Sequence, residues 1–218
     1  MALRFNLPCP SRVLTNRIAP PANIFSGDKP LSAPLRLGVA ARLVGLKGIS
    51  VALLTLKNLL DRGTNVTLDI AGKGPDEQQF RLLAEKLGIC ERVNFLGFHD
   101  DLSHFYNNIH IYLSTPVTEP FGLSCLEALF YGVPVIYPLI DGQPEVVKNG
   151  YCGIGIIPDV TPDTHFRLCG VNVNFPHDVY FPEQDALHSP LLLSPEKCAD
   201  AVLKIVNNDY ARFRQHAF

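Results

Sequence analysis

The sequence is poor in charge and has no strong bias of sign. Only 18% of its residues are charged, the formal net charge is -2, and the isoelectric point is near 6.4. Such a surface offers no basic field for a polynucleotide backbone, so nucleic acid is not an expected partner; a nucleotide-sized anion needs only a local pair of cations. No window reaches the roughly 18 uncharged apolar residues that a membrane span needs. Residues 1–10 lack a charged leader ahead of an apolar core. The expected location is the cytoplasm, with peripheral attachment at the inner face of a membrane kept open. Six scattered cysteines (Cys9, Cys90, Cys125, Cys152, Cys169, Cys198) include no C-x-x-C pair and no histidine at ligand spacing. Reduced, mostly buried thiols are expected. A D-x-D metal pair is also missing: Asp100 and Asp101 are adjacent and suit the start of a helix near Leu102. Neither a metal nor a cofactor is expected.

At 218 residues and 47% hydrophobic content the chain can bury one sizeable core. Prolines recur through residues 1–34 (Pro8, Pro10, Pro20, Pro21, Pro30, Pro34), which reads as a connector with room for a short strand at 12–14 at most. Residues 35–218 read as one domain. A strand at 35–40 precedes a helix whose apolar face is Ile49, Ala52, Leu53, Leu56 and Leu60, with Gly63 at the C-cap position. Val66, Leu68 and Ile70 alternate as a second strand. Asp76 and Gln79 have capping-box spacing before a helix that stops at Gly88. Further strands are expected at 93–96, 109–113, 133–137 and 153–157, and helices at 102–108 and 123–131. Residues 158–190, rich in proline, aromatics and histidine, are too long for an ordinary loop. A hairpin at 170–181 is weakened by Pro176 and Pro182. Ser194 caps a helix at 195–206, and 209–216 extend a helical tail.

Short strands alternating with helices imply a doubly wound, Rossmann-like α/β fold with a parallel sheet. In such sheets ligands bind beyond the carboxyl ends of the strands. Arg42, Gly72, Phe98 and Glu119 all follow strands.

The most informative stretch is 119–136, E-P-F-G-L-S-C-L-E-A-L-F-Y-G-V-P-V-I. Glu119 sits in a loop and Glu127, eight positions on, one turn into an otherwise apolar helix. Carboxylates there can accept hydrogen bonds from sugar and ribose hydroxyls. Arg42 and Lys47, five positions apart, can converge on one diphosphate, and a helix starting near Leu123 adds N–H donors and the positive end of its dipole. His99, His104 and His110 do not share a helical face and read as solvent or packing residues. Gly72 and Gly74 lack the third glycine of a dinucleotide fingerprint.

Taken together, A-R-L-V-G-L-K-G, L-D-I-A-G-K-G-P, R-V-N-F-L-G-F, the E-x7-E stretch and D-G-Q-P-E-V-V-K-N-G resemble nucleotide-sugar glycosyltransferases of the GT-B fold, in particular the large retaining group called family 4. The resemblance runs from about Leu35 to Gly153 and resumes after Ser194. It implies that the chain is the C-terminal, donor-binding half of a GT-B enzyme, a metal-independent hexosyltransferase using a UDP- or GDP-sugar. Arg42 and Lys47 would hold the diphosphate, Glu119 the transferred sugar and Glu127 the ribose. Backbone amides of Phe121, Gly122 and Leu123 would face sugar and phosphates. Phe98 would border the base, or simply cover the sheet edge. The acceptor, a glycan, lipid or protein, would need an N-terminal domain absent from this sequence. Two departures stand out: Ala41 where the family usually has glycine, and the 158–190 insertion, either a surface excursion or part of an acceptor or partner surface. The rival functions are a non-catalytic nucleotide-sugar-binding module supporting a partner subunit and a GT-B sugar epimerase.

Overall fold

A computed structural model describes residues 29–217. The 12–14 strand, Cys9 and most of the 1–34 connector lie outside the described residues. Six parallel strands form one sheet in the order β3-β2-β1-β4-β5-β6: β1 Leu35–Ala40, β2 Val66–Ala71, β3 Val93–Gly97, β4 Ile111–Leu113, β5 Val135–Pro138 and β6 Gly153–Ile156. The doubly wound expectation is met. β1 pairs with β2 from Leu35↔Val66 to Ala40↔Ala71, and with β4 at Leu37↔Ile111.

Both faces of the sheet are covered, which is why β4 and β5 are buried at every position, whereas β2, nearer the edge, alternates. On one face α1 (Ile49–Asp61), α2 (Glu77–Lys86) and, further along the chain, α7 (Pro195–Lys204) pack on Leu37, Val39, Leu68 and Ile70. On the other, α3 (Ser103–Asn108) and α4 (Leu123–Phe130) enclose Tyr106, Tyr112, Val135 and Tyr137. Between β5 and β6 lies the single turn α5 (Gln143–Val146). α7 runs through a π-helical stretch at Ile205–Asp209 into α8 (Tyr210–Gln215), as the helical tail predicts.

Three expectations change. Asp76 does not cap α2 with its side chain; its Oδ2 accepts from the Gly45 N–H at 2.7 Å, tying α2 to the loop after β1. β4 begins at Ile111 rather than 109, because the His110 imidazole turns back to accept from the Arg36 N–H at 2.9 Å. The 158–190 segment holds a helix that proline content concealed, α6 (Pro162–Cys169), capped by Thr161. Its hairpin is not 170–181 but β7 (Val179–Phe181) with β8 (Ala186–His188). Pro182 stands at the turn between them, where its missing N–H costs no ladder bond.

Of the described cysteines, Cys125, Cys152, Cys169 and Cys198 are buried and Cys90 is exposed, all as free thiols. Alkylation of the folded protein should therefore modify Cys90 and spare those four. Peptide mass spectrometry reads this directly, and native labelling of Cys125 would contradict the packing around α4. No helix among the described residues is long and apolar enough to cross a membrane.

Candidate functional site

The strand order reverses between β1 and β4: the chain leaves β1 toward β2 and β3, then crosses back to β4. The loops after β1 and β4 therefore part and leave a crevice at the carboxyl end of the sheet. Two adjoining pockets occupy it, of about 220 and 530 Å³. Ala40, Ala41, Arg42, Leu123 and Ser124 line both. The first adds Lys47, Ser114, Thr115 and Glu119; the second adds Gly72, Lys73, Phe98, Leu102 and Glu127.

Residues far apart in sequence meet here for identifiable reasons. Arg42 emerges directly from β1. Lys47 ends a 3-10 turn, Gly45–Lys47, which is held against the segment after β4 by two bonds. The Val117 N–H donates to the Leu46 carbonyl at 2.8 Å, and the Thr115 hydroxyl to the Gly48 carbonyl at 2.9 Å. Lys47 Nζ thus reaches Glu119 Oε2 at 2.5 Å, with the two side chains 30% and 20% exposed. A pair this open to solvent contributes little stability by itself. An ammonium carries three N–H donors, so one carboxylate does not exhaust it.

Glu127 projects from α4 into the second pocket, where it accepts from the Tyr106 hydroxyl at 2.8 Å. The Tyr106 ring stacks on Tyr131 with centroids 5.5 Å apart, and burial raises its hydroxyl far above the ordinary tyrosine value, so it stays a donor. A carboxylate fixed this way keeps further acceptor capacity. Phe98 is 62% exposed and Leu123 48%, an apolar pair on the rim of a polar crevice that suits contact with a planar ring.

Gly122, φ 93°, caps α4; its carbonyl accepts from the Cys125 and Leu126 N–H groups at 3.0 and 3.2 Å, so the N–H groups of Leu123 and Ser124 stand at the open end of the helix. Leu123 and Ser124 bring this helix end to both pockets, whereas Phe121 and Gly122 stand outside their walls. One turn in, Cys125 is fully buried and burial pushes its thiol up to about 12. It is not a nucleophile at neutral pH. Among the described residues no three His, Cys, Asp or Glu side chains gather as a metal-ligand group.

The crevice thus unites Arg42, Lys47, Phe98, Glu119, Leu123 and Glu127. Sequence reasoning missed Lys73, Tyr106 and Ser124. Lys73 and Ser124 lie inside motifs already noticed, G-K-G-P and F-G-L-S, and Tyr106 carried no local signal.

The geometry agrees with a comparison of the whole sequence. A family model described as glycosyl transferases group 1 matches residues 28–164, more than half of the chain. The chain belongs to this family. Among curated relatives, an uncharacterized glycosyltransferase of Methanocaldococcus jannaschii is 34% identical over 125 residues, covering 56% of this chain and 32% of the relative. The chain spans about a third of the length of the first curated relatives it matches. Solved GT-B glycosyltransferases share its fold. The pneumococcal O-GlcNAc transferase GtfA, determined with UDP and GlcNAc, superposes with a TM-score of 0.66 at 20% identity over 85% of this chain and 31% of that one. The C-terminal domain of a group 1 glycosyltransferase from Francisella tularensis gives 0.63 at 17% identity, covering 86% of this chain and 84% of that domain. The Rossmann-like domain of a group 1 glycosyltransferase is thus the fold.

Proposed function

We propose that this chain is the donor-binding half of a retaining, family 4 type GT-B glycosyltransferase that takes a UDP- or GDP-sugar. The observation that carries this reading is the convergence of two cations, Arg42 and Lys47, with the start of α4 in one crevice. A departing nucleoside diphosphate develops negative charge, and fixed cations with a helix N-terminus stabilise it as a metal ion otherwise would.

In this reading Arg42 and Lys47 grip the diphosphate, Lys47 through N–H donors beyond the one given to Glu119. Glu119 accepts from hydroxyls of the sugar and is kept in place by Lys47. Glu127, oriented by Tyr106, accepts from the ribose, with Phe98 and Leu123 bordering the base. The amide of Leu123, whose residue lies in the wall of both pockets, faces sugar and phosphate, and Phe121 and Gly122 lead the chain into that helix end. Transfer to an acceptor glycan, lipid or protein uses a facing N-terminal domain. The match to a solved C-terminal domain over most of its length supports that division, and a neighbour holding UDP supports a uridine donor.

Calorimetric titration with UDP and GDP tests the reading. One of them should bind the wild-type chain, and Lys47→Ala should weaken it by about 1.5–3 kcal/mol, a loss of roughly ten- to a hundred-fold, because a charge-assisted contact is removed. Equal affinities for the two proteins would refute the role of Lys47, and no binding of either nucleotide would refute the proposal.

A further inference from the structure

The turn after β5 opens the D-G-Q-P-E-V-V-K-N-G stretch with a residue to which the motif reading gives no role and which lies outside the walls of the crevice. Asp141 has φ 47°, in the left-handed region where an L side chain is disfavoured. Its carboxylate is engaged on two sides. Oδ2 accepts from the Glu119 N–H at 2.9 Å and from the Thr118 hydroxyl at 2.8 Å. Oδ1 accepts from the Tyr180 N–H at 3.3 Å, and the Asp141 N–H donates to the Tyr180 carbonyl at 2.8 Å. The next residue, Gly142, packs so closely on this loop that a Cβ would lie 2.2 Å from the Pro120 carbonyl oxygen. The loop carrying Glu119 is therefore seated on the 141–142 turn, and the same carboxylate ties it to β7 of the hairpin.

Resting on the function proposed above, we propose that Asp141 is a positioning residue for the donor sugar: it fixes the backbone of Glu119 and couples that loop to the β7–β8 hairpin. An unfavourable φ is kept where a side chain supplies something glycine would not. Here the side chain supplies one anionic acceptor reaching two loops that lie some sixty residues apart in sequence, and the hairpin becomes a brace for the sugar end of the crevice. Lys47 holds the Glu119 carboxylate at one end and Asp141 holds its main chain at the other.

Two variants of the full chain test this. Asp141→Gly removes the carboxylate and relieves φ, so folding is retained, as a melting curve verifies. Asp141→Asn offers one carbonyl oxygen where the carboxylate offers two, so it can satisfy the Glu119 amide or the Tyr180 amide but not both. In hydrogen exchange read by NMR, Asp141→Gly should speed both amides about tenfold, and Asp141→Asn one of them only. In calorimetry with UDP, GDP, UDP-glucose, UDP-N-acetylglucosamine and GDP-mannose, Asp141→Gly should leave nucleotide affinity within about twofold and weaken the nucleotide sugar about fivefold. Unchanged exchange at Glu119 would overturn the bracing, and equal losses for nucleotide and nucleotide sugar would overturn the link to the sugar. If the wild type binds none of these ligands, the proposed function fails while the exchange rates still decide the bracing.

Discussion

Gly48→Ala is expected to cost about 3–5 kcal/mol and to lower the melting temperature by about 10 °C, whereas Gly63→Ala, at a similar backbone conformation, should cost only about 1 kcal/mol. Both glycines are left-handed, with φ 65° and 79°. They differ in what a side chain would meet. A Cβ at Gly63 finds nothing within 4 Å, but at Gly48 it would lie 1.8 Å from the Thr115 carbonyl oxygen. That contact is backbone and cannot rotate away, so the loop after β1 or the segment after β4 must move. These are the segments that bring Lys47 to Glu119. Gly48→Ala should therefore also weaken nucleotide binding below its melting temperature, and Gly63→Ala should not. Equal melting temperatures for the two alanines would mean that the approach to Thr115 does not constrain the fold.

The contrast shows what was legible in the sequence. Gly63 could be placed from its position after an apolar helical face, because a helix end is a local event. The strands were equally local: Val66, Leu68 and Ile70 announce β2, and β1 lies where it was expected. What the sequence could not order was long-range pairing. Asp76 at capping-box spacing serves Gly45 instead, 31 residues away, and Glu127 meets Tyr106 from the preceding helix. A Rossmann-like topology nevertheless forces the loops after β1 and β4 to one end of the sheet, so Arg42, Lys47, Glu119 and Glu127 could be named together before any contact between them was known. The hairpin was misplaced because Pro182 was taken as an interruption of a strand when it forms the turn.

Acid should destabilise the protein steeply between about pH 6.5 and pH 4, before its carboxylates are largely protonated. Two imidazoles carry this effect. His165 on α6 is buried against α1, with Nε2 2.9 Å from the Ser50 hydroxyl and 3.3 Å from Cys169 Sγ, and burial lowers it to about 4. His110 is lowered to about 4, first by burial and then by Lys29, Arg36 and Arg214 nearby. Its Nδ1 accepts from the Arg36 N–H, so protonation there would set two donors against each other. A histidine whose folded value lies below its unfolded 6.5 contributes stability that is fully present above pH 6.5 and lost as pH falls toward 4; below that it contributes no further loss. Each group gives a slope of up to about 1.4 kcal/mol per pH unit and a total of roughly 3 kcal/mol. Urea unfolding at pH 7, 6 and 5 measures it, and His165→Gln, which keeps a polar contact for Ser50 but does not titrate, should remove about half of the slope. A variant with the wild-type slope would show that α6 is not the acid-sensitive element. The share of the loss due to His165 should be local to the insertion, since its ring bonds Ser50 in the first turn of α1. Acid should therefore act at two places, the seat of α6 on α1 and, through His110, the junction of β1 with the start of β4, whereas the buried Tyr112 on β4 and Tyr137 on β5 stay neutral because burial raises their hydroxyls.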